Sequence, residues 1–400
     1  MEPLRGFTLI DLTQGVCGPY ASMRLADAGV EVIKVEPPGQ GDCARGMGPP
    51  FVGGQSSVFL ALNRNKRSVA IDLDTRDGRD LVRRLAARAD VVLEDLGPGQ
   101  AEQLGLGHDQ LAVDHPELVS CSISAWGEAG PMRDLPGSEL AVQAMAEYTR
   151  SLGRIGEPPV RLGADVANLN TAVFASQAVT AALFHRLRSG YGQRVSVSML
   201  RVLLHMRGIM WAARTDPDDW WGFHLDHYTN PPEHGYQAAD GRRFFGLRRA
   251  SSEDFDRLMI DLGLVDHVAD ERFGNHGRDA APLGRHVQEA KPVWEEAFRQ
   301  HTVEELRLLI QSAGGDAVAF NDYDSLVAHP QIEALEVVDS FDHPTAGTVR
   351  TIRPVARLTA SPLTIRTPPP LLGQHTDEVL DQLGVDAVER AALRSAGVIE

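Results

Sequence analysis

Residues 161–200 organise this chain, and they read RLGADVANLNTAVFASQAVTAALFHRLRSGYGQRVSVSML. Positions 167–186 contain no Gly or Pro, and their apolar residues recur mostly at helical spacings, which predicts one helix. Many of its residues are Ala, Ser or Thr, so we expect a buried helix against which other elements pack closely. Asp165 lies just before it, where unpaired backbone N–H groups and the helix dipole favour an ionised carboxylate. Position alone leaves two interpretations of Asp165 open, an ordinary N-cap or a functional acid.

Length and composition restrict the class of protein. A chain of 400 residues is expected to form two domains, and 43% hydrophobic with 24% charged residues is typical of a soluble protein. The net charge of −16 disfavours nucleic acid or an anionic membrane as partner, although a local basic pocket for a phosphorylated ligand remains compatible with it. No apolar run approaches the ~18 residues of a membrane span, and the first apolar run is too short for a signal peptide, so we expect a cytoplasmic enzyme.

Cysteine spacing predicts neither a disulfide framework nor a metal site. Cys17, Cys43 and Cys121 are few, odd in number and far apart. We therefore predict no metal.

Predicted strands and helices alternate as far as about residue 125, beginning with FTLIDLT, GPYASMRLADAG and VEVIKVE. This alternation predicts an α/β fold with a parallel sheet covered on both faces. Ligands of such sheets bind beyond the carboxyl ends of the strands, here at residues 14–18, Glu36, 94–99 and 124–130. Glu36 lies where a dinucleotide-binding acid is expected, but the turn from Gly15 to Gly18 lacks GxGxxG, so NAD is disfavoured.

Changes in pattern along the chain predict four regions. Residues 1–210 form a large Rossmann-like domain, 211–235 a linker, 236–336 a smaller α+β domain, and 337–400 a strap that returns to the large domain. The smaller domain begins with a hairpin through Asp240-Gly241. Residues 37–55, rich in Gly and Pro, are expected to form a long loop that serves as a wall or lid.

Seven segments, in order along the chain, carry a family resemblance. They are GPYASMRLADAGVEVIKVEPPGQGD, FLALNRNKRSVAIDL, ADVVLEDLGPGQAEQLGLG, ISAWGEAGP, GADVANLNTAVFASQAVTAALFHRLRSGYGQRVSVSML, DHPTAG and PPPLLGQHTDEVL. The chain resembles the class III CoA-transferases, a group that includes the carnitine, formyl-CoA and succinyl-CoA transferases and the α-methylacyl-CoA racemases. The resemblance implies a Rossmann-like, CoA-binding large domain, a small domain, and two chains threaded through each other as an interlocked homodimer.

The resemblance also assigns roles to two acids. Asp165 matches the aspartate that attacks an acyl-CoA donor, forms a mixed anhydride and then an aspartyl-CoA thioester, from which CoA passes to an acceptor acid. Glu139, in GSELAVQA, matches an acid that lies near this nucleophile. The implied activity is therefore CoA transfer from an acyl-CoA to a carboxylic acid, with both small molecules as substrates.

Matching the family's CoA contacts onto this sequence gives a set of expected binding residues. The set is Val16, Cys17, Arg45, Lys66, Arg67, Ile71, Asp95, Leu96, Gly97 and Gln103. The chain departs from the family at Pro37, Asp74 and Gln103, where several transferases have basic residues, and Asp95-Leu96 replaces a usual Asn-Phe pair. Loss of cations weakens phosphate binding, and we expect Arg45, Arg64, Lys66 or Arg67 to compensate.

Two alternatives remain at this stage. A racemase needs an Asp and a His as acid and base, but the triplet that would hold the His is Gly137-Ser138-Glu139. A family member without CoA turnover, serving as a binding subunit, is motivated by Pro37, Asp74 and Gln103. RFFGLRRASSED replaces the glycine-rich loop of formyl-CoA transferases, which disfavours oxalate and formate. Trp211, Trp220 and Trp221 are expected to line a pocket for a medium or bulky acid, or to belong to a dimer core.

Overall fold

A computed structural model describes residues 1–149, 158–208, 235–247, 252–270, 273 and 287–400. It separates into two compact units, one formed by residues 1–209 with 336–400 and the other by residues 210–335. The predicted linker at 211–235, apart from Gly235, lies outside the described residues, as do Trp211, Trp220 and Trp221. Among the described helices, none combines the length and apolar character needed to cross a membrane.

The strands of the described chain are short. They are β1 (Thr8–Asp11), β2 (Glu31–Glu36), β3 (Phe51–Val52), β4 (Gln55–Ser56), β5 (Lys66–Ala70), β6 (Val91–Glu94), β7 (Val119–Ser124), β8 (Arg194–Ser198), β9 (Tyr236–Gln237), β10 (Arg243–Leu247), β11 (Asp316–Ala319), β12 (Val338–His343) and β13 (Gly347–Ile352).

The helices of the described chain alternate with these strands. They are α1 (Cys17–Asp27), α2 (Ser57–Leu62), α3 (Arg76–Ala86), α4 (Gln100–Gln103), α5 (His108–Leu111), α6 (Glu139–Met145), α7 (Val166–Ser189), α8 (Met199–Met206), α9 (Ser252–Asp261), α10 (Val287–Phe298), α11 (Val303–Ser312), α12 (Tyr323–Val327), α13 (Pro330–Ala334), α14 (Thr376–Gln382) and α15 (Ala387–Ser395). Short 3-10 helices lie at Cys43–Gly46 and Val265–His267.

The central sheet has six strands in the order β5-β2-β1-β6-β7-β8, and every neighbouring pair is parallel. This confirms the predicted α/β fold with a parallel sheet. The strand order reverses between β1 and β6, since β2 lies on one side of β1 and β6 on the other. Such a switch point leaves a crevice beyond the carboxyl ends of the strands, where ligands of open α/β sheets bind.

Both faces of the sheet are covered. On one face, apolar residues of β1, β6 and β7 pack against α1 and α7, and on the other face α3 and residues 379–399 pack against β2 and β5. Burial of each Val, Leu or Ile side chain stabilises the folded state by about 1.5–3 kcal/mol. Strands buried on both faces favour continuous apolar runs, such as residues 91–93 in β6.

Helix α7 is the predicted central helix, extended to 24 residues. Its buried side chains are mostly small, including Ala172, Ala175 and Ala182. These small residues pack directly against Ala21 and Leu25 of α1 within one apolar cluster. The helix ends at Gly190, whose φ of +78° is the left-handed conformation that favours glycine at a helix end.

Residues 37–55 hold more structure than a long loop. They contain the 3-10 helix at Cys43–Gly46 and the antiparallel pair β3–β4. Asp42 begins this 3-10 helix by accepting the N–H of Ala44 at 2.8 Å, and it also accepts the N–H of Gly15 at 2.7 Å. The segment is thereby tied to the turn after β1.

The second unit contains a three-stranded sheet in the order β11-β10-β9 and helices α9–α13. The predicted hairpin through Asp240-Gly241 is present, with Phe244 opposite Tyr236. Its core is aromatic, and the rings of Trp294 and Phe298 stack with centroids 5.4 Å apart. Strand β11 was not predicted, because DAVA is short and pairs only with a strand about 70 residues away in sequence.

Candidate active site

The switch-point crevice is lined by the turn after β1 and the turn after β6. The N–H of Gln14 donates to Asp95 Oδ1 at 3.1 Å, which joins the two turns. Helix α1 begins at Cys17, with Val16 as its N-cap. The structure therefore brings Val16, Cys17 and Asp95 of the predicted CoA-binding set to one edge of the sheet, with Leu96 and Gly97 directly after Asp95.

Two glycines shape the turn after β6. Gly97 and Gly99 have φ values of +103° and +82°, a region that side chains rarely adopt. Their conformation lets the chain turn from β6 into the four-residue α4, which ends at Gln103. Gln103 is exposed there and offers an amide instead of the cation that the family resemblance implies.

The start of α7 is capped by Glu139, not by the residue that precedes the helix. Glu139 Oε1 accepts the N–H of Ala167 at 2.7 Å, and its Oε2 accepts the N–H of Asn168 at 2.8 Å. Gln143, one turn further along α6, donates its side-chain N–H to the same Oε1 at 2.7 Å. A carboxylate with three donors at a helix N-terminus is strongly held.

Asp165 is consequently left out of the cap. It occupies the N-cap position of α7 by sequence, but its side chain makes no capping hydrogen bond. The side chain is 45% exposed, and its Oδ1 lies 3.7 Å from the guanidinium of Arg161. The Asp165 side chain thus does not act as an N-cap, and its carboxylate lies beside the helix N-terminus with Arg161 as its ion-pair partner.

The buried thiol of Cys17 lies near two carboxyl groups, one in the crevice and one at the start of α7. Burial raises the pKa of Cys17 well above its ordinary value, and the negative charges of Asp95 and Glu139 raise it further. Those charges act on the thiol only because both carboxyl groups lie near it. Burial likewise raises the pKa of Asp95, with the nearby Asp11 and Glu94 adding to the effect against the hydrogen bond from Gln14.

A buried ionic network supports the turn after β1. Lys34 Nζ lies 2.7 Å from Asp42 Oδ2 and donates to the carbonyl of Thr13 at 2.7 Å. Lys66 Nζ lies 3.2 Å from Asp11 Oδ2 and also donates to the carbonyl of Pro19 and the side chain of Asn63. The charged side chains of both ion pairs are fully buried.

Lys66 is therefore internal and presents no free ammonium to a phosphate, contrary to its expected role. Burial, together with the charge of Lys34, lowers the pKa of Lys66 to about 8 against the attraction of Asp11. Arg45 is similarly engaged, because it forms a bidentate pair with Glu36 at 2.7 and 2.8 Å while its guanidinium lies 3.7 Å from the ring centroid of Phe59.

Arg64 and Arg67 are also paired, and both lie away from the switch point. Arg64 donates to both oxygens of Asp27, at 3.0 and 2.7 Å. Arg67 stands opposite Ile33 near the amino end of β5 and binds Glu31 at 2.5 Å and Glu378 at 3.0 Å. Since parallel strands share one direction, Arg67 lies at the amino edge of the sheet, and this position does not support its expected contact with CoA phosphates.

Three other positions singled out from the sequence supply no cation to the crevice. Ile71 is fully buried, with its N–H donated to the carbonyl of Glu36 and a bridge to Ile399. Pro37 is half-buried and Asp74 is exposed. Within the described residues, no cluster of three or more His, Cys, Asp or Glu side chains is arranged to hold a metal ion.

Sequence reasoning missed three members of the network, Asp11, Lys34 and Asp42. Their signal was present, because Asp11 ends the apolar run of β1 and Lys34 lies within β2 between apolar residues. A charge in a strand buried on both faces needs a partner, so two such residues in neighbouring strands indicate a buried network.

Nearly the whole chain is similar to known proteins of one family. Residues 4–376 match the model of CoA-transferase family III. The chain is 30% identical over 406 residues to the succinyl-CoA:glutarate CoA-transferase of Homo sapiens, covering 100% of this chain and 90% of the relative. It is 31% identical over 405 residues to the succinyl-CoA–D-citramalate CoA-transferase of Chloroflexus aurantiacus, covering 100% and 98%. A CaiB/BaiF family protein from Brucella suis superimposes with a TM-score of 0.82 at 28% identity, covering 95% of this chain and 99% of that one.

Proposed function

Because the chain belongs to CoA-transferase family III, we propose that it moves CoA from an acyl-CoA donor to a carboxylic acid acceptor, with Asp165 as the nucleophile. The observation that carries this proposal is that Glu139, and not Asp165, caps the start of α7. Glu139 accepts the helix N–H groups, so the Asp165 carboxylate beside the start of α7 keeps its lone pairs for attack.

The proposed reaction begins when an Asp165 oxygen attacks the thioester carbonyl carbon of the donor. The C–S bond breaks, CoA leaves as a thiolate, and a mixed anhydride remains on Asp165. The thiolate then attacks the aspartyl carbon, which releases the donor acid and leaves an aspartyl-CoA thioester. The acceptor carboxylate attacks this thioester to form a second anhydride, and CoA thiolate attacks the acceptor carbonyl, so that acceptor acyl-CoA leaves and the Asp165 carboxylate is restored.

We propose that CoA enters through the switch-point crevice. Val16 and Cys17 at the start of α1 face this edge together with Asp95, Leu96 and Gly97 of the turn after β6. The N-terminus of α1 provides a partial positive charge suited to an anionic group. Gln103 offers a neutral donor at the end of α4, and Arg45 is available only at the cost of its pair with Glu36.

The acids exchanged are proposed from the relatives and from the sequence together. The printed names of the two enzymes compared above contain succinyl-CoA with glutarate or citramalate. We therefore propose a medium-sized carboxylic acid, with dicarboxylates as the first acceptors to test. Cytoplasmic location and an interlocked homodimer are part of the same proposal, and the dimer is tested by the mass of the protein in solution.

Within the part of the chain that the structure describes, no observation supports the racemase alternative. Ser138 takes the position of the required His, and its Oγ accepts the N–H of Ala141 at 3.2 Å as the N-cap of α6. A hydroxyl with this structural role supplies no base at neutral pH.

The test is intact mass after incubation with acyl-CoA esters and hydroxylamine, which converts an activated aspartyl group into a hydroxamate. We expect the hydroxamate on wild type and not on Asp165→Asn, whose fold we expect to be unchanged because Asp165 makes no capping bond. Binding of CoA without an adduct would contradict the covalent step and favour proton-exchange chemistry. No binding of any CoA ester would favour the non-catalytic subunit.

A further inference from the structure

A second site lies at the amino edge of the central sheet, opposite the switch-point crevice. A cavity of about 560 Å³ opens there beside Thr8 of β1, Glu31 of β2 and Arg67 of β5. Its far wall comes from residues 366–368 and 374–375, which run across this edge. All lining residues belong to the unit formed by residues 1–209 and 336–400.

Guanidinium groups dominate the charge of this cavity. Arg5, Arg67 and Arg366 line it, against the single carboxylate of Glu31. Lys66 also lines the cavity, but its ammonium group is bound to Asp11, as described above. The lining residues thus hold three guanidinium groups and one carboxylate, while Glu378 and Glu2 lie beside Arg67 and Arg366 from outside the lining. Guanidinium groups gathered at one cavity attract a small anion, in a chain whose net charge is −16.

Two of these arginines have binding capacity left. Arg5 is exposed, and within the described residues no carboxylate lies in ion-pair distance of its guanidinium. Arg366 donates Nη2 to the carbonyl of Ala26 at 2.8 Å, but its nearest carboxylate, Glu2, stands 3.8 Å from Nη1. By contrast, Arg67 is held by Glu31 and Glu378. Arg5 and Arg366 are therefore the groups that can bind an anion.

A neutral donor completes the polar lining. His375 Nδ1 accepts the backbone N–H of Ser68 at 3.1 Å, which places the proton of the neutral ring on Nε2. Burial, with the nearby charge of Arg67, lowers the pKa of His375 and so favours this neutral form. The ring lines the cavity as a hydrogen-bond donor that needs no charge.

The size and the apolar parts of the wall indicate an organic ligand. A free phosphate ion would leave most of about 560 Å³ unfilled, while the Phe7 ring, Pro344 and Pro368 offer apolar surface for a carbon skeleton or a ring. Binding sites for small molecules commonly combine such walls with a few charged groups.

We propose that this cavity binds a small organic dianion, a phosphate monoester or a dicarboxylate, through Arg5 and Arg366, with His375 as an additional donor. The ligand would join the N-terminal segment to residues 366–375, which lie far apart in sequence, and so stabilise their attachment to the sheet. This site is independent of the CoA crevice, since it lies at the other ends of the same strands.

The test follows thermal unfolding and isothermal titration at fixed ionic strength, with AMP, succinate and inorganic phosphate as probes. We expect AMP or succinate to raise the unfolding temperature, and Arg5→Gln to raise its dissociation constant about tenfold, as loss of one charge-assisted contact does. Arg5→Lys should recover part of the affinity. Arg76→Gln is the matched control, because Arg76 is 87% exposed on α3 and does not line the cavity.

A saturating concentration of CoA occupies the crevice and separates the two sites for AMP. Succinate is also a candidate acceptor in the crevice, so its response is assigned to this cavity only where Arg5→Gln weakens it. The proposal requires that the AMP response persist when CoA is bound, and a response to only one of the two probes identifies the acidic group. A response abolished by CoA, or one that Arg5→Gln and Arg366→Gln leave unchanged, would place the ligand elsewhere and overturn the proposal. Absence of any response to millimolar probes, or a response to inorganic phosphate alone, would overturn it as well.

Discussion

The carboxylates near the carboxyl edge of the sheet fall into two contrasting groups. Asp11, Asp42 and Glu36 are buried, and each is matched to a cation on a neighbouring element. Asp165 is 45% exposed, makes no capping hydrogen bond, and has only Arg161 at 3.7 Å. The buried acids hold the turn after β1 in place, whereas Glu139 takes over the helix N-terminus and leaves Asp165 chemically available.

This difference supports Asp165, among the several acids of this region, as the proposed nucleophile. A buried carboxylate in an ion pair has its lone pairs engaged and its charge compensated, so attack by it would cost the pair. By contrast, a carboxylate beside a helix N-terminus that another residue already caps keeps both its lone pairs and its negative charge. The distinction depends on hydrogen-bond partners and not on residue type.

The largest expected effect is on Asp165. Asp165→Asn removes the proposed nucleophile, and we expect the rate of CoA transfer to fall by at least about 10⁴-fold, with the free energy of unfolding unchanged within about 0.5 kcal/mol. Steady-state kinetics and urea unfolding measure the two quantities. A variant that retained more than about a hundredth of the rate would assign the nucleophile to another residue.

Asp42 tests the buried group. Asp42→Ala leaves Lys34 buried without its carboxylate and removes the acceptor of the Gly15 N–H, so we expect a loss of about 3–5 kcal/mol of stability. The loosened turn should also raise the KM for acyl-CoA. Asp42→Asn, which can still accept that N–H, is the control and should lose less. Equal stability of Asp42→Ala and wild type would show that this network is dispensable.

Glu139 tests the connection between the two groups. Glu139→Ala removes the acceptors of the Ala167 and Asn168 N–H groups, so we expect a loss of about 1–2 kcal/mol of stability and about 10²-fold in kcat as the start of α7 shifts. Ser138→Ala removes the cap of α6 and serves as the matched control. It should cost about 1 kcal/mol with little change in kcat. Similar kcat values for both variants would separate Glu139 from the positioning of Asp165.

Acid pH should lower the stability of the protein by protonating the buried carboxylates. Burial alone would raise the pKa of Asp11, but Lys34 and Lys66 bring it below its ordinary value of 3.8. Glu36 likewise has a pKa below its ordinary 4.5, because hydrogen bonds from Arg45 and the charge of Lys34 outweigh burial. The unfolded chain therefore binds more protons than the folded chain as pH falls through these ordinary values. Urea unfolding should show stability that is full above about pH 5 and declines below about pH 4.5, and a constant stability down to pH 3 would contradict it.

The smallest expected effect concerns Gln103. Gln103→Arg restores a cation at the exposed end of α4, and we expect the dissociation constant of CoA to fall about threefold at low salt, an effect that salt should reduce. Gln331→Arg, on the exposed surface of α13, provides a control of the same charge. An equal gain in both variants would indicate a general effect of net charge and not a contact near the crevice.

Much of the fold could be predicted because its signals are local. The apolar runs of β1 and β2 and the uninterrupted small-residue helix α7 identify themselves by period and composition. Asp165 could be placed at a helix start for the same reason. The contacts of the Asp165 carboxylate could not be predicted, because the residue that caps α7 is Glu139, 28 positions from Ala167 in sequence.

The expected phosphate contacts illustrate the same limit. Strand β5 begins at Lys66, which pairs with Val32. This start makes Arg67 part of the strand at the amino edge of the sheet and directs the Lys66 ammonium group to Asp11. Strand boundaries depend on pairing with neighbouring strands, so local sequence leaves them uncertain.

The most direct test of the central claim follows oxygen through Asp165. The acceptor acid is supplied with 18O in its carboxylate, and after many turnovers the peptide containing Asp165 and the released donor acid are analysed by mass spectrometry. If Asp165 forms both anhydrides, one heavy oxygen passes from the acceptor to its carboxylate and then to the donor acid. Transfer of CoA with no 18O in either Asp165 or the donor acid would show that this carboxylate is not the nucleophile.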